Sequence, residues 1–395
     1  MNTRHQSRKC IVYVQYTNPQ IYPPLENSAR IFVAKGWRVV FLGIESEGDT
    51  KSFAFVDSGD VEVHLLSRWA SRSLIKLHFL WFTLRCLLRL LVIRPSVVYL
   101  SDQYSTPLGA LLTYFSSGPI VYHEHDHPGE WPSSLTGKII SWAHKRVAER
   151  CYMCILPNQQ RGKAFRESFR RTAPVVPIMN CPSLAEIQDL SQPGAGSELS
   201  VYYHGSIVPN RLPIGLLTAL LQLPSQIKLF AAGYETNGSF GYIARFQREA
   251  ANLGASDRVH FLGSLPTREA LLKQCASFDV GLALLPAAPS DLNERCMAGA
   301  SNKIFDYLAC GLPVLVPDAP DYQELFVRRG VALACDPDDP ASIAAALRWL
   351  LDHPRERRAM GERGRQLIRE EWHYERQFRP ALDRLLARVA PAAVL

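Results

Sequence analysis

Short apolar runs alternate with helical segments along most of this 395-residue chain, and no other feature limits its fold as strongly. Strands that alternate with helices form a parallel sheet with helices on both faces. The first half is therefore predicted to be a doubly wound α/β domain. Its predicted strands are Cys10–Tyr16, Arg38–Gly43, Val61–Leu66, Val97–Leu100, Ile120–Tyr122 and Cys151–Leu156.

A second series of the same kind follows the segment EIQDLSQPGAGSELS, whose Pro, Gly and Ser content is typical of a linker. We predict domains over 1–185 and 201–373 with the linker at 186–200, and a last helix over 374–390 that packs back on the first domain. The predicted strands of the second series are Val201–His204, Ile227–Ala231, Val259–Leu262, Val280–Leu284 and Pro313–Val316.

The balance of charge excludes little by itself. The net charge of +7 is a modest excess that does not imply nucleic acid as a partner. No leader-like apolar segment precedes Cys10, and the cysteine count is odd, nine in all, which is typical of reduced thiols. We therefore expect a cytoplasmic protein.

A glycine-led turn follows the first strand of the second series. Gly205 and Ser206 would let backbone N–H groups approach a ligand, and Arg211 places a guanidinium at the far end of the turn. Such a turn is suited to a pyrophosphate, although Arg211 is equally consistent with a solvated surface charge.

A second segment, residues 299–316, combines three features that suit a nucleotide. Ser301 and Asn302 are good N-cap residues, so the next helix would present free N–H groups to an anion, and Lys303 adds a formal charge. Asp306 follows one turn later, where it would accept hydrogen bonds from a ribose diol or form a surface ion pair with Lys303.

This segment resembles the donor-binding segment of the retaining family-4 glycosyltransferases, which have the GT-B fold of two Rossmann-like doubly wound domains facing a central cleft. The resemblance implies that the first domain is on the acceptor side and that the second binds the nucleotide sugar. The resemblance implies that Arg211 is the second member of the basic pair that contacts the donor diphosphate, with Ser206 at the first position. It also places Asp306 at the second acid of the E-x7-E motif and Ala298 at the first. It implies no essential metal or other cofactor.

In the first domain, HEHDHPGEWP resembles the strand end that often carries a His-Asp pair in this family. The resemblance implies that His125 contacts the donor sugar or the developing charge, as a neutral or a protonated imidazole. Alternatively, His123, His125 and His127 point the same way on an extended strand and ligate zinc, as in a metal hydrolase.

Residues 68–94 are rich in arginine and leucine, and no Asp or Glu lies between Leu65 and Ser101. Charges inside the apolar run argue against a membrane span. His78, Arg85 and Arg89 share one helical face near Trp81, Phe82 and Leu88, a pattern suited either to an anionic membrane surface or to an ordinary sheet-covering helix.

Taken together, the residues and the resemblance predict transfer of a sugar from a nucleotide-sugar donor to a hydroxyl of a glycan or lipid-linked acceptor, with retention of configuration. The family is typical of cell-surface polysaccharide assembly. The alternatives are a sugar-nucleotide epimerase of the same fold, or the metal hydrolase built on the three histidines.

Overall fold

The structure is a computed structural model that describes residues 8–45, 59–187 and 198–390, apart from the single positions 70, 117, 171, 237, 287, 288 and 290. The chain divides into two compact units. The first comprises residues 1–180 and 374–395, and the second comprises residues 181–373. Most of the predicted linker, 188–197, lies outside the described residues.

The first unit contains a parallel sheet of seven strands in the order β3-β2-β1-β4-β5-β6-β7. The strands β2 and β3 thus lie on one side of β1, and β4 to β7 lie on the other side, which is the strand order of a Rossmann fold. The strands are β1 Cys10–Val14, β2 Arg38–Ile44, β3 Val61–Leu66, β4 Val97–Ser101, β5 Ile120–His123, β6 Met153–Leu156 and β7 Val175–Pro177.

Helices cover both faces of this sheet, because the strands are apolar on both sides. One face packs against α2, α3 and α4, and the other packs against α1 and the last helix, α14. The helices are α1 Pro23–Ala34, α2 Ile75–Ile93, α3 Thr106–Phe115, α4 Leu135–Arg150, α5 Gln159–Glu167 and α14 Tyr374–Arg388.

The second unit repeats this architecture with six parallel strands in the order β10-β9-β8-β11-β12-β13. The strands are β8 Leu199–Ser206, β9 Ile227–Tyr234, β10 Val259–Gly263, β11 Val280–Leu282, β12 Val314–Pro317 and β13 Ala332–Cys335. The helices are α6 Gly215–Leu221, α7 Tyr242–Asn252, α8 Arg268–Cys275, α9 Leu292–Arg295, α10 Asn302–Ala309, α11 Pro320–Tyr322, α12 Pro340–Asp352 and α13 Pro354–Glu370.

The prediction of two doubly wound parallel sheets is confirmed. The strands β7 and β13 are not among the predicted elements, since each has only three or four residues and lies at an edge. The helix α2 begins at Ile75 and ends at Ile93, and Arg94 closes it with φ of 49° in the left-handed region.

Candidate active site

The strand order of each sheet predicts where a ligand would bind. In a doubly wound sheet, ligands bind at the carboxyl ends of the strands where the order reverses, which is between the first and fourth strands of each unit. In the second unit these strands are β8 and β11, and a small cavity of about 30 Å³ lies there. Its walls include residues that follow both strands: Arg211, Ala283, Leu284, Leu285, Ser301, Lys303 and Tyr322.

Glycine is required where β8 ends. Gly205 has φ of 114°, and a side chain there would meet Lys303 Nζ at 3.1 Å. Gly233, on the neighbouring β9, is tighter still, because a Cβ atom would lie 1.8 Å from the carbonyl oxygen of Gly205. The two glycines therefore let the backbone of β8 and β9 turn closely beside Lys303.

Two cations converge on this turn. Arg211 Nη1 donates to Ser206 Oγ at 2.6 Å, so the serine at the first basic position of the family pattern orients the arginine at the second. Lys303 Nζ lies 5.2 Å from the centre of the Tyr203 ring. Burial, with Arg211 nearby, lowers the pKa of Lys303 to about 7, and Asp306 opposes that shift.

The helix α10 begins beside these cations. Ser301 occupies the N-cap position with extended backbone, φ −88° and ψ 126°, and its side chain makes no capping hydrogen bond. The first N–H groups of a helix have no intrahelical partner, so those of α10, which starts at Asn302, are open to an acceptor. The structure thus brings together Gly205, Ser206, Arg211, Ser301 and Lys303, with Asn302 at the start of the helix.

Asp306 has a different position from the one predicted. Its side chain is buried and faces inward, where Arg268 donates to both carboxylate oxygens at 2.7 and 3.2 Å. His204 Nε2 lies 3.3 Å from the same carboxylate. The carboxylate is therefore engaged inside the unit and not in a surface pair with Lys303, whereas its contact with a ribose stays a prediction.

These contacts of Asp306 fix α10 against the sheet. Burial opposes its ionisation, but Arg268 and His204 hold the pKa of the carboxyl below its usual value. Arg268 also pairs with Glu186, and Tyr307, the next residue of α10, accepts the backbone N–H of His204 at 3.1 Å. Sequence reasoning missed Arg268 and His204, because they lie far from Asp306 along the chain.

In the first unit, His125 lies just after β5 and is buried. Its Nε2 is 3.0 Å from Ser101 Oγ, and its backbone oxygen accepts a hydrogen bond from Arg161 at 2.7 Å. Burial lowers the pKa of His125 to about 4, with Arg161 contributing and Asp126 opposing. The imidazole is therefore neutral near pH 7, which favours the neutral form of the two that the prediction left open.

Asp102, which follows β4, is a functional candidate that the sequence reasoning missed. Its backbone has φ of 60° and ψ of 170°, a region that residues other than glycine rarely occupy and that recurs at functional sites. Its carboxylate accepts the backbone N–H of His125 at 3.1 Å. Burial, together with the charges of Asp126 and Glu124, raises the pKa of Asp102 to about 7.

The three histidines do not form one cluster. The rings of His123 and His125 lie 3.9 Å apart, but β5 ends at His123 and the chain then turns, so the expectation that His127 shares their face is wrong. His127 Nδ1 instead accepts the backbone N–H of Gly129. Among the described residues, no group of three His, Cys, Asp or Glu side chains is placed to hold a metal ion.

The helix α2 presents two opposite apolar faces. One is buried against the sheet and includes His78 and Phe82, as expected for a helix that covers a sheet. The Tyr16 hydroxyl lies 2.8 Å from His78 Nδ1. The opposite face is exposed and consists of Leu77, Leu80, Trp81, Leu84, Leu88, Leu91 and Val92. Within the described part of the chain, no helix meets the length and hydrophobicity needed to cross a bilayer.

Two family models match the sequence. The model of a glycosyl transferase 4-like domain matches residues 25–181, and the model described as glycosyl transferase-like, of the group 1 type, matches residues 220–383. No curated protein matches the sequence. The two matches correspond to the two structural units and together span most of the chain.

Solved structures of the same fold match nearly the whole chain. HepE from Anabaena, in complex with UDP and glucose, has a TM-score of 0.72 at 18% identity, covering 96% of this chain and 100% of that chain. Sucrose-phosphate synthase from Thermosynechococcus elongatus has a TM-score of 0.71 at 16% identity, covering 97% of this chain and 100% of that one.

A third structure, WaaG, is a glycosyltransferase involved in lipopolysaccharide biosynthesis. It has a TM-score of 0.65 at 15% identity, and the match covers 94% of this chain and 98% of that chain. At these identities the structures establish the GT-B fold, and the family models establish the enzyme class. The chain is therefore a glycosyltransferase of the family-4, group 1 kind, with the GT-B fold.

Proposed function

We propose that the second unit binds a nucleotide-sugar donor through its diphosphate, and that the sugar is transferred to a hydroxyl of a glycan or lipid-linked acceptor with retention of configuration. The observation that carries the proposal is the convergence of Arg211, Lys303 and the N-terminus of α10 on the switch point between β8 and β11. HepE, which shares the fold, is seen with UDP and glucose.

These groups suit a leaving group on which negative charge develops. When the bond between the anomeric carbon and the diphosphate breaks, the charge of Arg211 and Lys303 stabilises the departing phosphate more strongly than it stabilises the intact donor. Arg211 is held in place by Ser206, so it is already oriented before the donor arrives. Because protein cations meet the phosphate charge, we propose that no metal is required.

His125 is proposed to contact the donor sugar as a neutral hydrogen-bonding group. Its ring is fixed by Ser101 and its backbone by Asp102 and Arg161, which together set the ring orientation. A neutral imidazole can donate to or accept from a sugar hydroxyl without a charge of its own.

The experiment is thermal unfolding of the purified protein with UDP, GDP, ADP and their sugars, repeated with EDTA. A ligand at about 100-fold its Kd stabilises the native state by about 2.7 kcal/mol. One nucleotide family should raise Tm in the presence of EDTA. The shift should vanish in Lys303→Ala and persist in Lys273→Ala, a matched change of an exposed lysine on α8. No shift with any nucleotide, or a shift that is unchanged in Lys303→Ala, would contradict the donor site.

We propose further that the enzyme works at the inner face of the plasma membrane, in cell-surface polysaccharide or lipid-linked glycan synthesis. By helical periodicity, Lys76 lies at one edge of the exposed apolar face of α2, and Arg85 and Arg89 lie beyond the other edge. The sequence from Leu65 to Ser101 contains no Asp or Glu. An apolar stripe flanked by cations is complementary to an anionic lipid surface.

The membrane proposal is tested by sedimentation with vesicles of phosphatidylcholine, with and without phosphatidylglycerol. Each basic residue near such a surface contributes about 1 kcal/mol, so Arg85→Gln/Arg89→Gln should weaken binding about 30-fold. Leu80→Gln/Leu84→Gln should also weaken it, whereas Lys228→Gln, on the second unit, should have no effect. Binding that does not depend on phosphatidylglycerol or on these residues would overturn the proposal.

A further inference from the structure

The first unit also contains a groove of about 730 Å³ beside α4. Three segments form it: residues 127–133 after β5, one face of α4, and residues 168–170 just after α5. Its described lining includes nothing from the ends of β1 and β4, where the switch point of this sheet lies. The groove is therefore separate from that switch point, and its volume is in the range of small-molecule sites.

One face of α4 gives the groove its charge. The members of the lining on this helix are spaced at i, i+3, i+4 and i+7, which places them on one side: Lys138, Ser141, Trp142 and Lys145. The two lysines are exposed and stand two turns apart, about 10 Å along the helix axis, with Trp142 between them. Arg170 adds a third cation, and no Asp or Glu occurs in the described lining. The groove therefore attracts anions.

The floor of the groove is a buried polar pair surrounded by aromatic rings. His144 lines the groove, and its Nε2 lies 2.6 Å from a carboxylate oxygen of the buried Glu124. The Tyr122 hydroxyl donates to the same oxygen at 3.0 Å. The rings of Trp131 and Phe169, which also line the groove, each have their centroids 5.5 Å from that of His144. These contacts hold the aromatic walls in place before a ligand binds.

The rings and the spacing of the cations indicate the class of ligand. Trp131, Trp142 and Phe169 offer aromatic faces, which suit the apolar C–H faces of sugar rings. Lys138 and Lys145 are spread along the helix, so they suit charges that recur along a chain better than they suit a single phosphate. An acidic oligosaccharide carries carboxylates in this way, and the chain belongs to a class of enzymes that act on sugars.

We propose that this groove binds an acidic oligosaccharide, in which carboxylates pair with Lys138 and Lys145 and a sugar ring packs on Trp142 between them. The groove is a second site for sugars on the first unit, and its residues are different from those proposed to act in transfer. The inference rests on the chemistry of the groove and on the enzyme class, and it does not depend on the proposed donor site.

The test is calorimetric titration of the whole chain with tetragalacturonic acid and with its methyl ester, which has the same sugars without the charges. At about 0.15 M salt, which screens long-range attraction, the acid should bind at least about tenfold more tightly than the ester, because charge-assisted hydrogen bonds are the stronger kind. Lys138→Gln/Lys145→Gln should abolish that preference. Lys35→Gln/Lys163→Gln removes two exposed lysines of the same unit outside the groove and should preserve it.

Trp142→Ala should weaken binding of the acid about two- to tenfold, because the exposed ring loses only its contact with the sugar. Since all of the substituted residues are exposed, each variant should unfold at the wild-type Tm without ligand. Failure of the acid to bind, equal binding of acid and ester, or equal losses in the two double variants would overturn the proposal. Tetrathymidylate that binds as tightly as the acid would overturn it too, because the groove would then recognise nucleic acid.

Discussion

The affinity for the donor diphosphate should depend on pH through a single group, Lys303. Its pKa in the free protein is about 7, because burial and Arg211 both disfavour the charged form. A diphosphate binds the ammonium and not the free amine, so binding must be coupled to protonation. The affinity for the diphosphate is therefore highest below the pKa of Lys303 and falls as the pH rises through that pKa.

The magnitude follows from the fraction of protein in the charged form. With a pKa of about 7, roughly nine-tenths of Lys303 is protonated at about pH 6 and roughly one-tenth at about pH 8, so the Kd should rise about tenfold over that interval. A nucleotide sugar is the correct ligand, because one phosphate is esterified to the ribose and the other to the sugar, so the diphosphate loses no proton between about pH 6 and about pH 8.

The assay is calorimetric titration at several pH values in buffers of different ionisation enthalpy, which also counts the protons taken up on binding. Lys303→Arg is the decisive variant, because arginine stays charged and should give a flat profile. Lys273→Ala should keep the wild-type slope. A flat profile in the wild-type protein, or the same slope in Lys303→Arg, would refute the reasoning.

Three further outcomes are expected. Gly233→Ala should lower the free energy of unfolding, measured in urea, by about 2 kcal/mol or more, since its Cβ would meet the Gly205 carbonyl oxygen at 1.8 Å. As a control, Gly241→Ala should lower the same free energy by only about 1 kcal/mol, because the space around Gly241 is open. Asp306→Asn should lower that free energy by about 1–3 kcal/mol, because it removes the buried carboxylate from Arg268, which keeps Glu186 as its other partner. Asp102→Gly should leave Tm unchanged or raise it, because glycine relieves the strain of the positive φ. The same change should lower the turnover of the donor, because the backbone N–H of His125 loses its hydrogen bond to the Asp102 carboxylate. A fall in Tm would contradict the assignment of strain to Asp102.

The sequence predicted the two sheets because buried parallel strands carry a local signal. Runs such as Arg38–Ile44 are apolar on both faces, and Gly36 marks the preceding helix end with φ of 77°. The same reasoning located the turn at Gly205 and placed the start of α10 within one residue of Asn302, because glycine and N-cap preferences act over a few residues.

The sequence could not predict contacts that the fold makes over long distances. The sequence suggests Lys303 as the ionic partner of Asp306, whereas Arg268, 38 residues earlier, pairs with its carboxylate. Asp102 was missed because its signal is a backbone angle, and His127 was misplaced because the end of β5 could not be set to one residue. The sequence of α2 is apolar on two faces, so the sequence alone does not show which of them the sheet covers and which is exposed.

The most direct test of the central claim is turnover of the donor. The purified protein is incubated with each radiolabelled nucleotide sugar and a bacterial lipid extract, and both the released nucleoside diphosphate and the label in the organic phase are counted. We predict that one nucleotide sugar gives equal amounts of both products, and that Lys303→Ala and Arg211→Ala give neither. Conversion of the sugar while it remains on the nucleotide, or loss of label to water without any lipid product, would contradict the account.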